Sequence, residues 1–256
     1  MASAQLSDLT GQDIGSRAST SVLFIPLGSI EQHGPHLPVD TDAYVANRFA
    51  LAAAEQVDGL VAPGFNYGYR SQPLSGGGEL FPGTVSLSGA TYSSIVSDLI
   101  RGYARHGHDR IVLVNGHFEN TMFAIEGVNV ALERGANARV LEVNWWDITT
   151  DQALDEVFGG EFPGWEAEHA GIVETSLMMH LDSVRVRQEL ISPTLATVVP
   201  PPYTVLPERP GLVDPSGVLR TAHGSTAQIG RDIFEHALGR MVAIVKQEFE
   251  SGVATS

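Results

Sequence analysis

SVLFIPLGSIEQHGPHLPVDTD, residues 21–42, joins an apolar run to a polar turn and then to the start of an alanine-rich stretch. The run SVLFIPL predicts a buried strand, and TDAYVANRFALAAAEQV from Thr41 predicts a helix capped by Thr41 or an adjacent aspartate. Between them, EQHGPHLPVDTD combines acidic and histidine side chains with two prolines and a glycine. The segment indicates a strand and a helix joined by a loop that is rich in potential metal ligands.

The same order of strand and helix recurs along the chain. Further strands are predicted from GLVAPGF, RIVLVNG and ARVLEVNWW. Helices are predicted from TYSSIVSDLIRGYARHG, which Gly107 ends, from ENTMFAIEGVNVALERG and from the closing STAQIGRDIFEHALGRMVAIVKQEFE. Apolar strands joined by crossover helices form a mainly parallel sheet covered on both faces. We therefore expect one α/β domain over residues 1–256, with the proline-rich residues 196–217 outside regular structure, on the surface or at a subunit contact.

Composition limits the function classes. The chain has 15 Lys and Arg residues against 30 Asp and Glu residues, a formal charge of -15, so its field repels nucleic acids and anionic membranes. It has no cysteine, so a metal site needs His, Asp and Glu ligands. The N-terminal residues lack a basic segment followed by an apolar one, and no apolar run reaches the ~20 residues of a membrane span. We expect a cytoplasmic protein without nucleic-acid or membrane partners.

Two acid–histidine pairs follow predicted strands. Glu31 and His33 come after the first strand, and His117 and Glu119 come after RIVLV. Residues two apart in extended backbone project to the same side, and open α/β sheets place ligand sites at the carboxyl ends of their strands. Any one of these residues alone suits a solvated loop, and Asp42 alone suits a first helical turn. The repetition of the pair at equivalent places favours a metal site.

These four residues and Asp42 make five candidate metal ligands. A single catalytic zinc takes about three protein ligands, so five suit two metals that share a carboxylate. Asp42 is the candidate for the shared ligand, and His36 is expected to be a positioning or surface residue. The pattern predicts a binuclear metal-dependent hydrolase.

A second constellation, GWEAEHAGIVETS, holds His169 and Glu174. Five residues correspond to roughly 140° around a helix, so the two side chains converge only if His169 stands at an irregular helix start. There it could donate a proton to a leaving nitrogen, although a surface histidine at a helix start is an equally good interpretation. Trp145, Trp146 and Trp165 indicate a flat pocket wall, with at least one of the adjacent pair in the core if the chain stays extended.

The other motifs carry less chemistry. SGGGELFPGT, residues 75–84, lacks the Gly-Lys-Ser/Thr of a phosphate-binding loop and is interpreted as a loop whose backbone approaches a small ligand or a neighbouring subunit. Serine-hydrolase chemistry has no support, because the sequence has no Gly-x-Ser-x-Gly elbow. The histidines without acid partners at a repeated spacing are interpreted as structural: His106, His108, His180, His223 and His236.

Four segments together resemble the creatininase (creatinine amidohydrolase) family: GSIEQHGPHLPVDTD, NYGYRSQPLSGGGELFPGT, NGHFEN and GWEAEHAGIVETS. The likeness extends from the first predicted strand through the helix after His169. It implies a Rossmann-like α/β fold, two divalent ions per subunit, zinc and/or manganese, and a homohexamer built as a trimer of dimers. It also implies a small-molecule substrate, with creatinine opened to creatine and closed again.

The resemblance also implies roles for individual residues. Glu31 and His117 would hold one metal, His33 and Glu119 the other, and Asp42 would bridge them. His169 corresponds to the catalytic histidine and Glu174 to its supporting carboxylate, with Glu119 or Glu174 assisting proton movement. The positions around the substrate correspond to Ser75, Phe118, Trp146, Trp165 and Glu166.

Two positions depart from the family pattern. Phe118 stands where creatininase has tyrosine, and Glu166 stands where aspartate is expected. The loss of one hydroxyl beside the substrate can change specificity considerably. The alternatives are therefore other amide hydrolases of the superfamily, such as a deformylase of formylamino-pyrimidines or a peptidase that matures a peptide-derived redox cofactor. A non-enzymatic ligand-binding oligomer is the alternative from another class, and the complete ligand set argues against it.

Overall fold

Four parallel strands form the centre of the structure, a computed structural model that describes residues 4–162, 164–198, 201 and 203–250. In the order in which they pair, the strands are β2 (Leu60–Val61), β1 (Leu23–Leu27), β3 (Arg110–Asn115) and β4 (Arg139–Asn144). Strand β1 pairs in parallel with β2 and β3, and β3 pairs in parallel with β4. The predicted α/β class with a mainly parallel sheet is confirmed.

Helices make up most of the remaining regular structure. They are α1 (Gly11–Arg17), α2 (Thr41–Gln56), α3 (Gly89–Arg105), α4 (Thr121–Glu133), α5 (Asp151–Phe158), α6 (Ile172–Asp182) and α7 (Ala227–Glu250). Short 3-10 turns add Leu6–Asp8, Phe118–Asn120, Trp165–Ala167, Ser183–Arg185 and Gln188–Leu190. Two of these turns, Phe118–Asn120 and Trp165–Ala167, lie beside the candidate site.

The side chains of the central strands alternate between two apolar cores, one on each face of the sheet. This follows from the period of two in a strand, because both faces of β1 and β3 are covered by helices. On one face, Leu23, Ile25, Leu27, Ile111 and Leu113 pack with residues of α3 and α4. On the other face, Phe24, Val112 and Val114 pack with residues of α2, α6 and α7.

The predicted strands and helices are largely confirmed, and the differences have local causes. GLVAPGF forms only two residues of regular strand, after which Phe65 pairs with Leu27 through an isolated bridge. Pro63 has no N–H to donate to a ladder, which accounts for the interruption. Helix α3 ends before Gly107, whose φ of 97° suits glycine at a helix end.

The predicted cap of α2 is confirmed in position but not in its hydrogen bond. Asp40 stands at the N-cap position, but its side chain makes no capping hydrogen bond. Instead, Oδ1 of Asp40 accepts from Nη2 of Arg185 at 2.6 Å, and the hydroxyl of Thr41 donates to the carbonyl oxygen of Pro38 at 2.7 Å. Asp42, the other adjacent aspartate, lies in the first turn. The side chains of Asp40 and Thr41 therefore bond to Arg185 and Pro38 and do not cap the helix.

Two glycines allow α2 to begin directly on the carboxyl ends of the strands. A Cβ at Gly28, after β1, would overlap the backbone of Ala43, and a Cβ at Gly116, after β3, would overlap the carbonyl oxygen of Asp42. Any larger residue at either position would push α2 away from the sheet. The first turn of α2, with Asp42, therefore lies where both acid–histidine pairs leave their strands.

The described residues between 196 and 217 contain no helix or strand, as the prolines predict. Residues 199, 200 and 202 of this segment lie outside the described part of the chain, as do residues 1–3, 163 and 251–256 of the predicted domain. None of the described helices combines the length and the apolar composition that a bilayer crossing requires. The cytoplasmic location stays a prediction.

Glu142 of β4 makes the stability of the fold depend on pH. Burial raises the pKa of Glu142 to about 7, and the nearby Asp147 carboxylate adds to the effect. Its Oε1 is buried without a hydrogen bond. Unfolding returns this pKa to its ordinary value of 4.5, so the folded chain binds the proton more tightly. Stability contributed by this group is therefore present below pH 4.5 and is lost as the pH rises through about 7.

We expect Glu142→Gln to stabilise the protein at pH 8 by on the order of 2 kcal/mol and to have little effect at pH 4.5, because the amide resembles the protonated acid. Thermal or urea unfolding at the two pH values measures the difference. Glu133→Gln, at an exposed position of α4, is the control and should change neither value. An equal shift of Glu142→Gln at both pH values would contradict the assignment.

Candidate metal centre

The two acid–histidine pairs and Asp42 meet at the carboxyl edge of the sheet. Glu31 and His33 lie in the loop after β1, His117 and Glu119 follow β3, and Asp42 is in the first turn of α2. Glu31, His33, Asp42 and His117 are at most 3% exposed. The cluster is thus an interior group of acids and imidazoles, and the interpretation of these side chains as solvated loop residues does not hold.

Asp42 lies between the two histidines. Its Oδ1 is 3.0 Å from Nε2 of His33, and its Oδ2 is 3.1 Å from Nδ1 of His117. Oε2 of Glu31 is 3.0 Å from the same nitrogen of His117. Glu31, Asp42 and His117 therefore offer three ligand atoms that all lie within 4.8 Å of one another. A shared carboxylate between two histidines is the arrangement expected of a bridging ligand.

Hydrogen bonds to the backbone orient both imidazoles. Nδ1 of His33 lies 3.1 Å from the carbonyl oxygen of Glu31, and Nε2 of His117 lies 3.0 Å from the carbonyl oxygen of Tyr69. A carbonyl only accepts, so these two nitrogens carry the protons. The opposite nitrogens, Nε2 of His33 and Nδ1 of His117, face Asp42 and are the atoms that would ligate a metal once they give up their protons. This is the usual way in which a protein prepares a histidine for a metal.

Several buried polar atoms of the cluster lack a hydrogen-bond partner: Nε2 of His33, Oδ2 of Asp42 and Oε2 of Glu119. Each of them is in an ion pair with a neighbour of the cluster, at 3.0–3.3 Å, without forming a hydrogen bond. A buried polar atom that lacks a hydrogen bond costs about 1–3 kcal/mol. All three atoms are good ligands for a divalent cation, and all belong to residues singled out as ligands. The donor set therefore fits a divalent metal of the zinc or manganese kind.

The charges of the cluster shift the pKa values of its members strongly. Burial raises the pKa of Glu31 to about 8, although His117 opposes the shift. For His33, burial lowers the pKa, but the carboxylates of Asp42, Glu174 and Glu31 outweigh it and raise the value to about 10. Burial also acts to raise the pKa of Asp42, but His33 and His117 hold it well below its usual range. The cluster thus strongly favours positive charge at its centre, which a metal ion would supply.

Glu119 and Glu174 flank the central group on opposite sides. Oε2 of Glu119 is 3.3 Å from Nε2 of His117, and Oε2 of Glu174 is 3.7 Å from Nε2 of His33. The close carboxylates of His33 are therefore Asp42 and Glu174, whereas the resemblance paired His33 with Glu119. His33, Asp42 and Glu174 form a second set of ligand atoms within 4.8 Å of one another.

His169 stands before α6, at the irregular start that its convergence with Glu174 requires. Ala170 has a positive φ of 53°, and its N–H donates to Oε2 of Glu174 at 2.6 Å. The His169 ring is 4.4 Å from the ring of His33, and its Nε2 is 2.8 Å from the carbonyl oxygen of Gln32. Burial and the charge of His33 lower the pKa of His169 well below its usual value. His169 is buried beside the cluster, so it is not a surface histidine.

Aromatic side chains form one wall of the pocket above the cluster. Its lining includes Trp145, Trp146, Trp165, Phe118 and Ser75. The rings of Phe118 and Trp146 stack with centroids 5.9 Å apart, and those of Trp145 and Trp165 meet edge to face at 5.5 Å. Both adjacent tryptophans reach the pocket because β4 ends at Asn144 and the chain turns there. The extended geometry that would have separated them is absent at this point.

The carboxylate that faces the pocket is Glu168, not Glu166. Glu166 is exposed in the turn Trp165–Ala167, whereas Glu168 is 2% exposed and lines the pocket. Oε1 of Glu168 accepts from the N–H of Ile172 at 3.0 Å, and Oε2 has no hydrogen bond. Burial raises the pKa of Glu168 to about 8, and Glu174 adds to the shift. Glu166 is directed outward by the short turn and is not among the residues that line the pocket, so its contact with substrate stays a prediction.

Other residues of the site were missed by the sequence interpretation. Gln32, between the two ligands Glu31 and His33, donates through Nε2 to the carbonyl oxygens of Gly76 at 3.2 Å and Gly217 at 2.8 Å. Asn120 donates to the carbonyl oxygen of Gly28 at 3.1 Å. Asn120 thus ties the segment after β3 to the end of β1, and Gln32 ties the loop after β1 to the segments that contain Gly76 and Gly217. Their place in the ligand motifs is the signal that would have identified them.

His36, the histidine left without a metal role, is a positioning residue. It is 2% exposed, and its Nε2 lies 3.0 Å from the hydroxyl of Thr175 on α6. Burial lowers its pKa to about 4, so the imidazole is neutral near pH 7. His36 therefore joins the loop after β1 to α6, and the interpretation as a surface residue is wrong.

Residues 7–245 match the creatininase (creatinine amidohydrolase) family. The creatinine amidohydrolase of Pseudomonas putida is 38% identical over 252 residues, which cover 94% of this chain and 96% of the relative. The chain belongs to the creatininase family. Its place in that family makes it a hydrolase. The mycofactocin precursor peptide peptidase of Mycobacterium ulcerans (strain Agy99) is also similar, with 34% identity over 232 residues that cover 83% of this chain and 79% of the relative.

Solved creatininase structures share this fold. A mutant creatininase complexed with creatine superimposes with a TM-score of 0.93 and 36% identity, covering 96% of this chain and 99% of that one. A manganese creatininase has a TM-score of 0.91 and 36% identity over 96% of this chain and 99% of its own. A zinc–zinc form of a mutant creatininase has a TM-score of 0.91 and 35% identity over 97% of this chain and 99% of its own.

We expect Asp42→Asn to lower the affinity of this creatininase-family chain for Zn²⁺ and Mn²⁺ by more than about 100-fold, since loss of an outer partner alone costs about 10- to 100-fold. Titration against a chelating dye, with metal content after dialysis, measures the change. Asp40→Asn is the matched control, because Asp40 pairs with Arg185 and should leave metal affinity unchanged. Full metal content in Asp42→Asn would contradict its role as a ligand.

Proposed function

We propose that this protein is a binuclear metal-dependent cyclic amide hydrolase that opens creatinine to creatine and also catalyses the reverse closure. The observation that carries the proposal is the Asp42 carboxylate, buried with one oxygen toward each of two histidines from neighbouring strands. The aromatic pocket lies directly above this group. The similarity to the creatinine amidohydrolase of Pseudomonas putida supports the choice of substrate.

The charge of the site supports two divalent ions, zinc and/or manganese. Four carboxylates converge there, those of Glu31, Asp42, Glu119 and Glu174, and two divalent cations carry the charge that balances them. In our proposal Glu31 and His117 would hold one ion and His33 and Glu119 the other, with Asp42 as the shared ligand. The 3.3 Å contact of Glu119 is with His117, so its assignment to the second ion rests on the family resemblance. The contact of Glu174 with His33 makes Glu174 a further carboxylate near the second ion. When bound, the ions polarise the amide carbonyl and acidify water.

His169 is proposed to move the proton. Hydrolysis adds water oxygen to the ring carbonyl carbon, breaks the carbon–nitrogen bond of the ring and places a proton on the departing nitrogen. His169 is buried, neutral and oriented by the carbonyl of Gln32, so it can accept a proton from water and deliver it to that nitrogen. Glu174 holds the N–H of Ala170 next to it and fixes the imidazole. Glu119 and Glu174 are the carboxylates that assist this transfer.

The pocket is proposed to bind a flat ring. Trp146 and Trp165 present aromatic faces, and Phe118 stacks on Trp146 at the opening. A planar guanidino ring offers N–H donors, and Oε2 of Glu168 is buried without a partner on this pocket, where the ionised carboxylate would accept one of them. Ser75 lines the same pocket and is the remaining polar contact. A small ring with N–H donors suits this lining.

We expect the protein reconstituted with Zn²⁺ and Mn²⁺ to hydrolyse creatinine, with activity lost on chelation and restored by metal. A colorimetric assay of creatine formation measures the rate. Phe118→Tyr, assayed in parallel, adds the hydroxyl that creatininase has at this position and should lower KM without raising kcat by more than a few-fold. Metal-loaded protein that turns over neither creatinine nor its reverse substrate, with or without the tyrosine, would refute creatinine as substrate.

His169→Ala in the same assay separates catalysis from metal binding. We expect it to retain metal and to lose activity by about 10²- to 10⁴-fold, the typical contribution of a positioned acid–base group. His223→Ala changes an exposed histidine and serves as the control. A His169→Ala protein that loses its metal would make this histidine a ligand.

A peptidase is the second candidate, because the mycofactocin precursor peptide peptidase of Mycobacterium ulcerans is similar to 83% of this chain. The same cluster could act on a linear amide, and the shape of the pocket would determine whether a cyclic or a linear amide binds. A panel of short peptides and formylamino-pyrimidines, assayed beside creatinine, distinguishes the amide classes. Turnover of a peptide at a rate far above that of creatinine would favour this candidate.

A homohexamer, a trimer of dimers, remains part of the proposal. One face of α4 supports association, because Met122, Ile125 and Leu132 are 70%, 38% and 41% exposed and share one side of the helix. Exposed apolar stripes of this kind mark protein contacts. Phe118, at the mouth of the pocket, continues the same stripe toward the site.

We expect Met122→Asp to dissociate the assembly into smaller species, because it buries a charge in a contact that is otherwise apolar. Light scattering after size exclusion gives the mass of the assembly. Glu55→Gln, a charge change at an exposed position of α2 on the other face of the sheet, is the control and should leave the mass unchanged. A Met122→Asp protein of unaltered mass would place the contact elsewhere.

A further inference from the structure

One loop holds the metal-facing carboxylates from outside. We call Ser71–Glu79 the carboxylate loop. The hydroxyl of Ser71 donates to Oε1 of Glu31 at 2.5 Å, and it accepts from the N–H of Gly78 at 3.0 Å. Because the N–H of Gly78 occupies an acceptor position of this hydroxyl, the proton of the hydroxyl is free to point at Glu31. Ser71 thus forms a hydrogen bond with one carboxylate oxygen of Glu31.

The same loop also forms hydrogen bonds with one carboxylate oxygen of Glu119. The hydroxyl of Ser75 donates to Oε1 of Glu119 at 2.5 Å, and the N–H of Gln72 donates to the same oxygen at 3.1 Å. Glu31 and Glu119 belong to motifs that lie far apart in the sequence. A single loop of nine residues therefore contacts both of them.

The remaining oxygen of each glutamate faces His117. Oε2 of Glu31 is 3.0 Å from Nδ1 of His117, and Oε2 of Glu119 is 3.3 Å from its Nε2. Oε2 of Glu119 has no hydrogen bond. Each carboxylate thus has one oxygen assigned to the loop and one to the cluster, which favours ligation through a single oxygen.

The backbone of the loop is itself fixed, so the two hydroxyls are presented from a defined place. Oε1 of Glu79 accepts from the N–H of Ser71 at 3.0 Å, and the carbonyl of Gly76 accepts from Nε2 of Gln32 at 3.2 Å. A Cβ at Gly76 would overlap the Glu31 carboxylate, so the close approach requires glycine there.

We propose that Ser71 is a positioning residue for Glu31, and Ser75 for Glu119, so that the carboxylate loop sets the affinity of the two metal positions separately. The inference rests on the two-metal site of the proposed function. Ser71 acts on the ion held by Glu31 and His117, and Ser75 acts on the ion on the Glu119 side. Loss of either hydroxyl frees a carboxylate oxygen to rotate and leaves its partner glutamate less well oriented.

The test is a two-site titration of metal-stripped protein with Mn²⁺ and with Zn²⁺, followed by isothermal calorimetry and by competition with a chelating dye. Ser71→Ala should weaken one site by about 10- to 100-fold and leave the other within about twofold. Ser75→Ala should weaken the opposite site by a similar factor. Each metal-free variant should still unfold in one cooperative transition, at a somewhat lower temperature because a buried hydrogen bond is lost. Weakening of one site only is the result that a general structural defect would not give.

Two further variants complete the test. Ser94→Ala removes an exposed hydroxyl that contacts only its own helix, at Ala90, and should leave both affinities unchanged. Ser71→Thr retains a hydroxyl and should retain more affinity than Ser71→Ala. Unchanged affinities at both sites in Ser71→Ala and Ser75→Ala would overturn the inference. If Ser71→Ala does not fold, Ser75→Ala, at a partly exposed position, decides by the same criterion. A wild-type protein that binds neither metal would instead refute the proposed function.

Discussion

The burial of the Asp42 carboxylate between two imidazoles is the interaction on which the rest of the site depends. A carboxylate in the protein interior is costly unless it is paired, and here its two oxygens face His33 and His117. These histidines follow different strands, so β1 and β3 must be neighbours and α2 must begin at their ends. The small residues Gly28 and Gly116 make that approach sterically feasible. The order of the strands and the pairing of Asp42 with both histidines therefore depend on each other.

The burial of several acids together explains why so many hydrogen bonds surround the site. Acids brought together in a dry interior repel one another, and each needs donors that keep it in place. Backbone carbonyls orient the imidazoles of His33 and His117, serine hydroxyls hold the glutamates, and the N–H of Ala170 holds Glu174. The outer groups are thus as much a part of the charge balance as the ligands themselves.

The sequence was sufficient for the sheet, for the convergence of the two acid–histidine pairs with Asp42 and for the family, because each depends on local pattern. An apolar run followed by an acid and a histidine two residues apart indicates both a strand end and a ligand pair, as Glu31 and His33 show. The place of Asp42 in the first turn of α2 was also within reach, since it follows from the helix boundary.

What the sequence did not reveal depends on the direction of a few side chains in irregular backbone. Glu166 and Glu168 are two residues apart, and only the turn Trp165–Ala167 decides which of them faces the pocket. Trp145 and Trp146 both reach the pocket only because the chain turns after β4. Such turns have no period from which orientation can be inferred, and their partners lie far away in the sequence.

The glycine run of the carboxylate loop has a consequence for how this protein can diverge. A Cβ at Gly76, Gly77 or Gly78 would meet three different side chains: Glu31 of the acid–histidine cluster, Gln32 beside it and Glu208 of the proline-rich segment. Gly77 and Gly78 also have φ values of 82° and 90°, where other residues are strained. At Gly78 the obstacle is the end of a flexible glutamate, which can move aside, whereas at Gly76 it is the carboxylate of the buried Glu31. The tolerance of this loop to substitution therefore falls toward the cluster, and a change at Gly76 would alter the placement of a candidate ligand from outside its own motif.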